Sequence, residues 1–525
     1  MSVVNQAQSR RLVAVHGWSG TVLGLLLYVV VLTGAIAVFA HEIGEWATGG
    51  HASVEAFAQP IGPRLEELAE DVKPEYLDEV VVFSDSAGNI QVRFHTHEER
   101  DGGRIEDIGV RYILDGNNLE VLQRDEGWFS ELPRDTSGAL EDFIVDVHVN
   151  LYAPFPWGLY ATGILGLLML SAVISGVLLH KHIIKDLFVS PRKSSKLLFR
   201  KDRHVLAGSW SLPFGFVLAF TGAFYSFAIS IGLPVVAMVA FGGDQEQMIE
   251  TILGAPVPEN TAPAQLASLE DVIADTTRRN GAPPVSLTVS HWGRADAVIS
   301  VFHGPTEEQL YGQVHLFEGT SGEYKGPKPI VGTEPSMGAA VVGLIGPLHF
   351  GNFGGLLSKI VWLSLGLACC YVTLTGLQMW VERRAESKAW QRLGRLIPIV
   401  GYGTAISLAG AGFGYFLSAG GDPSVWVTRA FVITAVLCIM AGYAVRDRRL
   451  MENVFRAALG LGLLALPVLR ILTGGPGWGE ACGAGASMVI GVDLVMVIAG
   501  AAALRSVSRE RATARSVQPA VESAV

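Results

Sequence analysis

Eight stretches of the chain are apolar for long enough to cross a bilayer, at about 12–40, 156–180, 205–232, 354–381, 397–419, 426–445, 453–473 and 485–505. Each is near the roughly 20 residues that a membrane-spanning helix needs. Two long intervals, about 42–150 and 235–345, read differently. Each begins with an acidic amphipathic helix, "PRLEELAEDV" in one and "AQLASLEDVIADTTRRNG" in the other. Alternating strands follow: "EVVVFSDSAGNIQVRFHTH" and "VRYILDGNNLEVLQRD", then "VSLTVSHWGRADAVISVFHG" and "QLYGQVHLFEGTSGEYKG". Asp-Gly and Gly-Asn pairs supply the turns. The pattern predicts two small α+β domains outside the membrane.

The same order, helix then external domain then helix, occurs twice in the first ~385 residues, which is the mark of an internal duplication. His16 and His204 open the first and third helices. From each, a Gly lies 4 residues on (Gly20, Gly208), a Thr-Gly pair starts 17 on (Thr33-Gly34, Thr221-Gly222) and a Phe lies 23 on (Phe39, Phe227). The even-numbered helices repeat too, with Ser175-Gly176 after His148 and Thr375-Gly376 after His349. Small pairs of this kind let helix backbones approach closely.

Composition agrees with a polytopic membrane protein: 50% of the 525 residues are hydrophobic and 17% are charged. The net charge of −10 is segregated, and nothing in it points to nucleic acid. Arg10 and Arg11, the basic stretch between the second and third helices, Arg383 to Arg395, Arg446 to Arg449 and the arginines after the eighth helix all fall on one side. Positive residues mark the cytoplasmic side, so both termini are expected there. The first apolar run is too long for a cleavable signal and is expected to stay as a helix. The four cysteines, three of them in apolar runs, form neither a disulfide framework nor a zinc spacing. The last four helices contain no histidine, and Asp493 is their notable internal acid, expected to be paired within the bundle or near an interface.

The histidines carry the candidate chemistry. His16, His180, His182 and His204 fall at the cytoplasmic ends of helices, and His148 and His349 at the outer ends. The duplication relates His16 to His204 and His148 to His349. Paired imidazoles across a bundle are what a six-coordinate b-type haem requires, and Gly20 and Gly208 would leave room for a flat porphyrin. The two layers would sit roughly 20–25 Å apart, since 17 residues at about 1.5 Å rise cover about 25 Å. Zinc or copper sites would bring a tighter cluster with carboxylates or thiols, and a proton relay would want ionisable groups at mid-membrane. Which of His16, His180 and His204 pair on the inner face stays open, since His180 aligns with Trp380. His182 is expected to be solvated and His41 interfacial. His95 and His97 share one strand face, which could bind a metal or simply meet solvent.

The stretches "RRLVAVHGW", "LTGAIAVF", "GVLLHKHIIKDLF", "RHVLAGSW", "FTGAF" and "LHFGNFGG" to "TGLQMWVERR" resemble the PepSY-associated transmembrane proteins, iron-regulated proteins of the bacterial inner membrane. The likeness covers about residues 8–385 and is similar in type to the di-haem ferric-siderophore (ferrioxamine) reductases. It implies two haems b held by His16, His148, His204 and His349, with His180 also matching a family histidine. It further implies a ferric siderophore or other ferric chelate as the partner, reduced on the periplasmic side with electrons from a cytoplasmic or membrane donor.

The fold class expected is thus a polytopic α-helical membrane protein. Its duplicated four-helix haem-binding core would be joined by four extra C-terminal helices and two small α+β PepSY-like periplasmic domains. The boundaries expected are helices at 8–41, 151–182, 204–234 and 346–384, external domains at 42–150 and 235–345, and a cytoplasmic loop at 183–203. A C-terminal helical region at 395–506 and a disordered cytoplasmic tail at 507–525 complete the chain. Two rival functions are a membrane-anchored binding module without redox activity, which would tolerate loss of the histidines, and a siderophore transporter, which would want broken helices.

Overall fold

The structure, a computed structural model, describes residues 5–517 except 51–55, 86, 101–103, 134–135, 181–182, 189, 254–256, 307–308, 333–335 and 419. His182 and residues 518–525 of the expected tail lie outside the described residues. The chain divides into two compact units, each described by itself.

The helical unit holds residues 1–50, 139–230 and 357–525. Its helices are α1 (Gln6–Ser19), α2 (Gly24–Ala37), α3 (Ala40–Thr48), α4 (Ala139–Asn150), α5 (Trp157–Leu179), α6 (Lys196–Trp210) and α7 (Leu212–Phe227). They continue as α8 (Gly355–Glu382), α9 (Lys388–Phe416), α10 (Pro423–Ala444), α11 (Arg448–Leu472), α12 (Trp478–Gly483) and α13 (Ser487–Val517). Six of these, α5, α8, α9, α10, α11 and α13, are individually long and apolar enough to span a membrane. The chain is a multi-pass membrane protein on that ground. Since α13 runs to Val517, much of the stretch expected as a disordered tail is helical.

The first and third spans are not the continuous helices that their hydropathy predicts. Helices α1 and α2 meet at 64°, and α6 and α7 at 65°. In the second case Pro213 lies in the first turn of α7. Proline there lacks an N–H and disfavours helical geometry in the residue before it. In the first case no proline is present. Gly20 ends α1, giving its N–H to the His16 carbonyl at 3.2 Å, and the Thr21 hydroxyl turns back to the Gly17 carbonyl at 2.5 Å. Helix α2 resumes at Gly24, where a Cβ would stand 2.8 Å from the Leu377 side chain. The two halves reach the same bend by different local chemistry. A straight 17-residue rise from His16 or His204 therefore overstates the separation of the two histidine layers.

The C-terminal helices are tied to the N-terminal ones by a buried polar knot. Asp493 and Arg470 are both fully buried, and the guanidinium donates to Asp493 Oδ2 at 2.8 Å. Trp46 Nε1 of α3 reaches Oδ1 at 2.7 Å, and Trp478 Nε1 reaches Oδ2 at 2.9 Å. The carboxylate is thus paired inside the bundle, as one of its two sequence readings held. Lys359 and Glu42 form a second, largely buried pair at 2.5 Å.

The other unit, residues 51–138 and 231–356, is built on a single antiparallel sheet. Its strands are β1 (Glu79–Ser84), β2 (Asn89–Arg100), β3 (Arg104–Asp115), β4 (Val121–Trp128), β5 (Ser286–Ser290), β6 (Val298–His303), β7 (Gln313–Glu318) and β8 (Tyr324–Lys328). Their spatial order is β4-β3-β2-β1-β5-β6-β7-β8. The two predicted strand sets are there, but they do not make two separate sheets. Each forms a four-stranded meander, and the meanders join through β1 and β5, with Glu79 opposite Ser290 and Phe83 opposite Ser286. Joining removes one open edge from each meander. The helices Gly62–Glu70 and Leu269–Asn280 contribute Leu65, Leu68, Leu269 and Val272 to one core shared with Val80, Val92, Phe94, Val289 and Ile299. The helix Met337–Phe350, which carries His349, also belongs to this unit.

Breaking the knot should be costly. Asp493→Ala leaves a buried guanidinium and two indole N–H groups without their acceptor. It is expected to lower stability by about 3–5 kcal/mol in thermal unfolding of the detergent-solubilised protein. Changing the exposed Cys482 to Ser should leave the transition in place.

Candidate functional site

Three of the candidate histidines are held by one recurring piece of geometry. His16 of α1 places Nδ1 2.9 Å from the Ala172 carbonyl and 3.3 Å from Ser175 Oγ, both on α5. His204 of α6 places Nδ1 3.0 Å from the Val372 carbonyl and 3.1 Å from Thr375 Oγ1, both on α8. His148 of α4 places Nδ1 3.0 Å from the Val30 carbonyl on α2. In each case the carbonyl lies three residues before a Ser or Thr whose hydroxyl also donates to it, at 3.1 Å.

The next residue is always glycine. A Cβ on Gly176 would stand 3.3 Å from His16 Cε1, one on Gly376 3.2 Å from His204 Cε1, and one on Gly34 2.6 Å from His148 Cε1. The Ser/Thr-Gly pairs therefore do more than let helices approach: they form the seat in which an imidazole lies. Thr221-Gly222 has the same local form, its hydroxyl bonding the carbonyls of Val217 and Leu218 at 2.7 and 3.4 Å.

A carbonyl can only accept, so each seated ring carries its proton on Nδ1. Nε2 is left with the lone pair, the form in which imidazole binds a metal. The rings of His16 and His204 lie 6.3 Å apart between centroids, at 82° to one another. Two metal–imidazole bonds of about 2 Å, plus the distance from each nitrogen to its own ring centre, sum to about 6 Å. The pair is therefore spaced as two imidazoles sharing one iron would be. Among the described residues the donor set is two imidazoles without carboxylate or thiolate, which fits haem rather than a bare zinc or copper ion.

The other sequence candidates fall as follows. His180 is the C-terminal cap of α5 and is half-buried. His349 is half-buried near the end of the Met337–Phe350 helix, which Gly351 closes in a left-handed conformation at φ 68°. Gly20 and Gly208 have space beside them, a Cβ meeting nothing closer than 3.5 and 3.9 Å. His41 lies 3.4 Å from Glu45 and 3.7 Å from Glu141.

Sequence reasoning missed the aromatic group beside His16. The ring of Trp380 lies against Gly17, where a Cβ would be 1.9 Å from it. Trp18 and Trp390 pack at 5.6 and 6.5 Å from it, and Arg384 sits 3.7 Å over its face. The alignment of His180 with Trp380 was the one available sign that this end of the bundle is asymmetric.

A family model described as "PepSY-associated TM region" matches residues 13–383. A protein of Pseudomonas aeruginosa, described as uncharacterized, is 24% identical over 397 residues, covering 72% of this chain and 98% of that protein.

The seat is testable without any cofactor. Gly34→Ala sets a methyl group against His148 and is expected to cost about 1–3 kcal/mol. Gly208→Ala, with open space, should be neutral or stabilising by up to about 1 kcal/mol. Thermal unfolding of the two variants side by side checks the contrast, and equal stabilities would contradict it.

Proposed function

The chain belongs to the PepSY-associated transmembrane family, and from that premise we propose that it is a di-haem b electron-transfer protein of the bacterial inner membrane that reduces ferric siderophores or other ferric chelates. The observation that carries this reading is the His16–His204 pair: two imidazoles from the two halves of the duplication, 6.3 Å apart, each with Nδ1 tied to a carbonyl. Haem bound there supplies one-electron exchange. His16 and His204 would hold the inner haem. His148, which has the same seat, would be a ligand of the other haem. Gly176 and Gly376 keep the space beside the inner rings open, and Ser175 and Thr375 hold the rings' orientation.

In this reading the clustered Lys and Arg mark the cytoplasmic side, where the donor acts, and the sheet unit lies in the periplasm, where the ferric complex is met. One electron is sufficient for release, because iron(II) binds hard oxygen donors more weakly than iron(III). The ligand residues need only stay neutral and fixed; no general acid or nucleophile is required.

The matched bends in the first and third spans favour a second reading, transport of the ferric complex, since broken helices are common at transport sites. It predicts that labelled ferric siderophore accumulates in vesicles without any reductant.

The deciding measurement is a reduced-minus-oxidised visible spectrum of the purified protein with haem quantified per chain. Two low-spin haems per chain are expected. His204→Ala should remove one and His148→Ala the other, while Thr375→Val should shift the midpoint potential of the inner haem alone. A protein that stays colourless after expression with ample haem overturns the reading and leaves the anchored binding module.

A further inference from the structure

The sheet unit carries a second group of ligand-type side chains, on the face of β2 away from the core. His95 stands opposite Glu79 of β1, and His97 opposite Asp107 of β3. The two histidines are two residues apart on one strand, so both project from the same face. Their ring centroids are 5.3 Å apart. His97 Nδ1 is 2.8 Å from Asp107 Oδ1, and its Nε2 is 3.4 Å from Glu79 Oε2. One ligand atom from each of Glu79, His95 and His97 lies within 4.8 Å of the others.

His95 is the residue that ordinary packing leaves unexplained. It is 5% exposed, beneath Phe129 at 5.4 Å, and its buried Nδ1 has no hydrogen-bond partner among the described residues. A buried polar nitrogen left in this way is destabilising unless something binds it. Gly109, opposite it on β3, lets the two strands approach closely at this point: a Cβ would be 2.9 Å from that of His95. If the cluster were only a set of ion pairs, His97 with its two carboxylates would complete it, and His95 would have no part.

We propose that Glu79, His95 and His97 form a binding site for a divalent first-row transition-metal ion, with Asp107 as the positioning residue that holds the His97 ring. Two imidazoles and one carboxylate are a ligand set for zinc, iron(II) and their neighbours. Asp107 takes the His97 Nδ1–H and leaves Nε2 toward Glu79, the carboxylate–histidine arrangement that orients metal ligands. The His97 side chain is 46% exposed, so the ion's remaining positions open to water. Arg93, stacked on Phe83 at 4.8 Å and Phe129 at 5.8 Å, is a nearby cation that works against binding, while Arg111, opposite it on β3, is paired with Asp125 at 2.6 Å. The site stands on this unit alone and does not depend on the haem reading.

The test uses the full-length, tag-free protein in detergent, dialysed against zinc(II), with zinc counted per chain by elemental analysis. Iron in haem is a different element, so the two readings fail separately. The wild type should retain zinc that His97→Ala and Glu79→Gln each weaken by about tenfold or more, and Asp107→Asn by about 10–100-fold. Glu98→Gln, on the opposite strand face, should change nothing. His97 and Glu79 are not core residues, and an unchanged melting temperature in their variants separates loss of the site from loss of the fold. A wild type that retains no zinc, or retention that is the same in His97→Ala and Glu79→Gln, would overturn the proposal.

Discussion

An imidazole inside an apolar bundle must place its one N–H on an acceptor, and the rest of the histidine site follows from where that acceptor is. The backbone acceptors a helix surface offers are its carbonyls, already used by the backbone N–H four residues on. A carbonyl has a second lone pair, and it is reachable only where the side chains around it are small. A Ser or Thr three residues later folds its hydroxyl back onto the same turn, and a Gly after it leaves the ring room to lie flat. His16, His148 and His204 are each met by that sequence of carbonyl, hydroxyl and glycine. The proton is thereby fixed on Nδ1, and the free nitrogen is fixed with it.

Much of this was legible in the chain. Hydropathy located the six individually long spans to within a few residues at most ends, because twenty apolar residues have little else they can do. Alternation located the strands. The repeated Ser/Thr-Gly pairs were visible too, but their role was not, since a spacing within one helix does not say which ring arrives from another. The bends escaped for a related reason. Hydropathy is blind to direction, so two helices at 64° read as one apolar run, and Gly17, Gly20 and Gly24 look like any glycine-rich membrane segment. Pro213 was the only punctuation mark, and it served one half only.

The sheet was legible in its strands but not in its assembly. Nothing in the alternation of β1 or β5 says that each is the other's neighbour rather than an edge. The decision is made by the shared core, where Val80 and Val289, both fully buried, face each other across the join. The Asp493 knot is a comparable case. An acid in an apolar helix announces a partner, yet Arg470, Trp46 and Trp478 are brought to it from three other helices, and Trp46 comes from the far end of the chain.

The join between β1 and β5 also has a consequence in time. Strand β1 is complete at Ser84, but its partner ends only at Ser290, about 200 residues later along the chain. At the usual pace of synthesis, about 5–20 residues per second, the first meander waits some tens of seconds with one flank unpaired. Through that interval Glu79–Ser84 offers a ready template for any passing strand. A nascent chain of this design must be shielded during its own birth, and a stalled or truncated product would be a seed for aggregation rather than a half-sized domain.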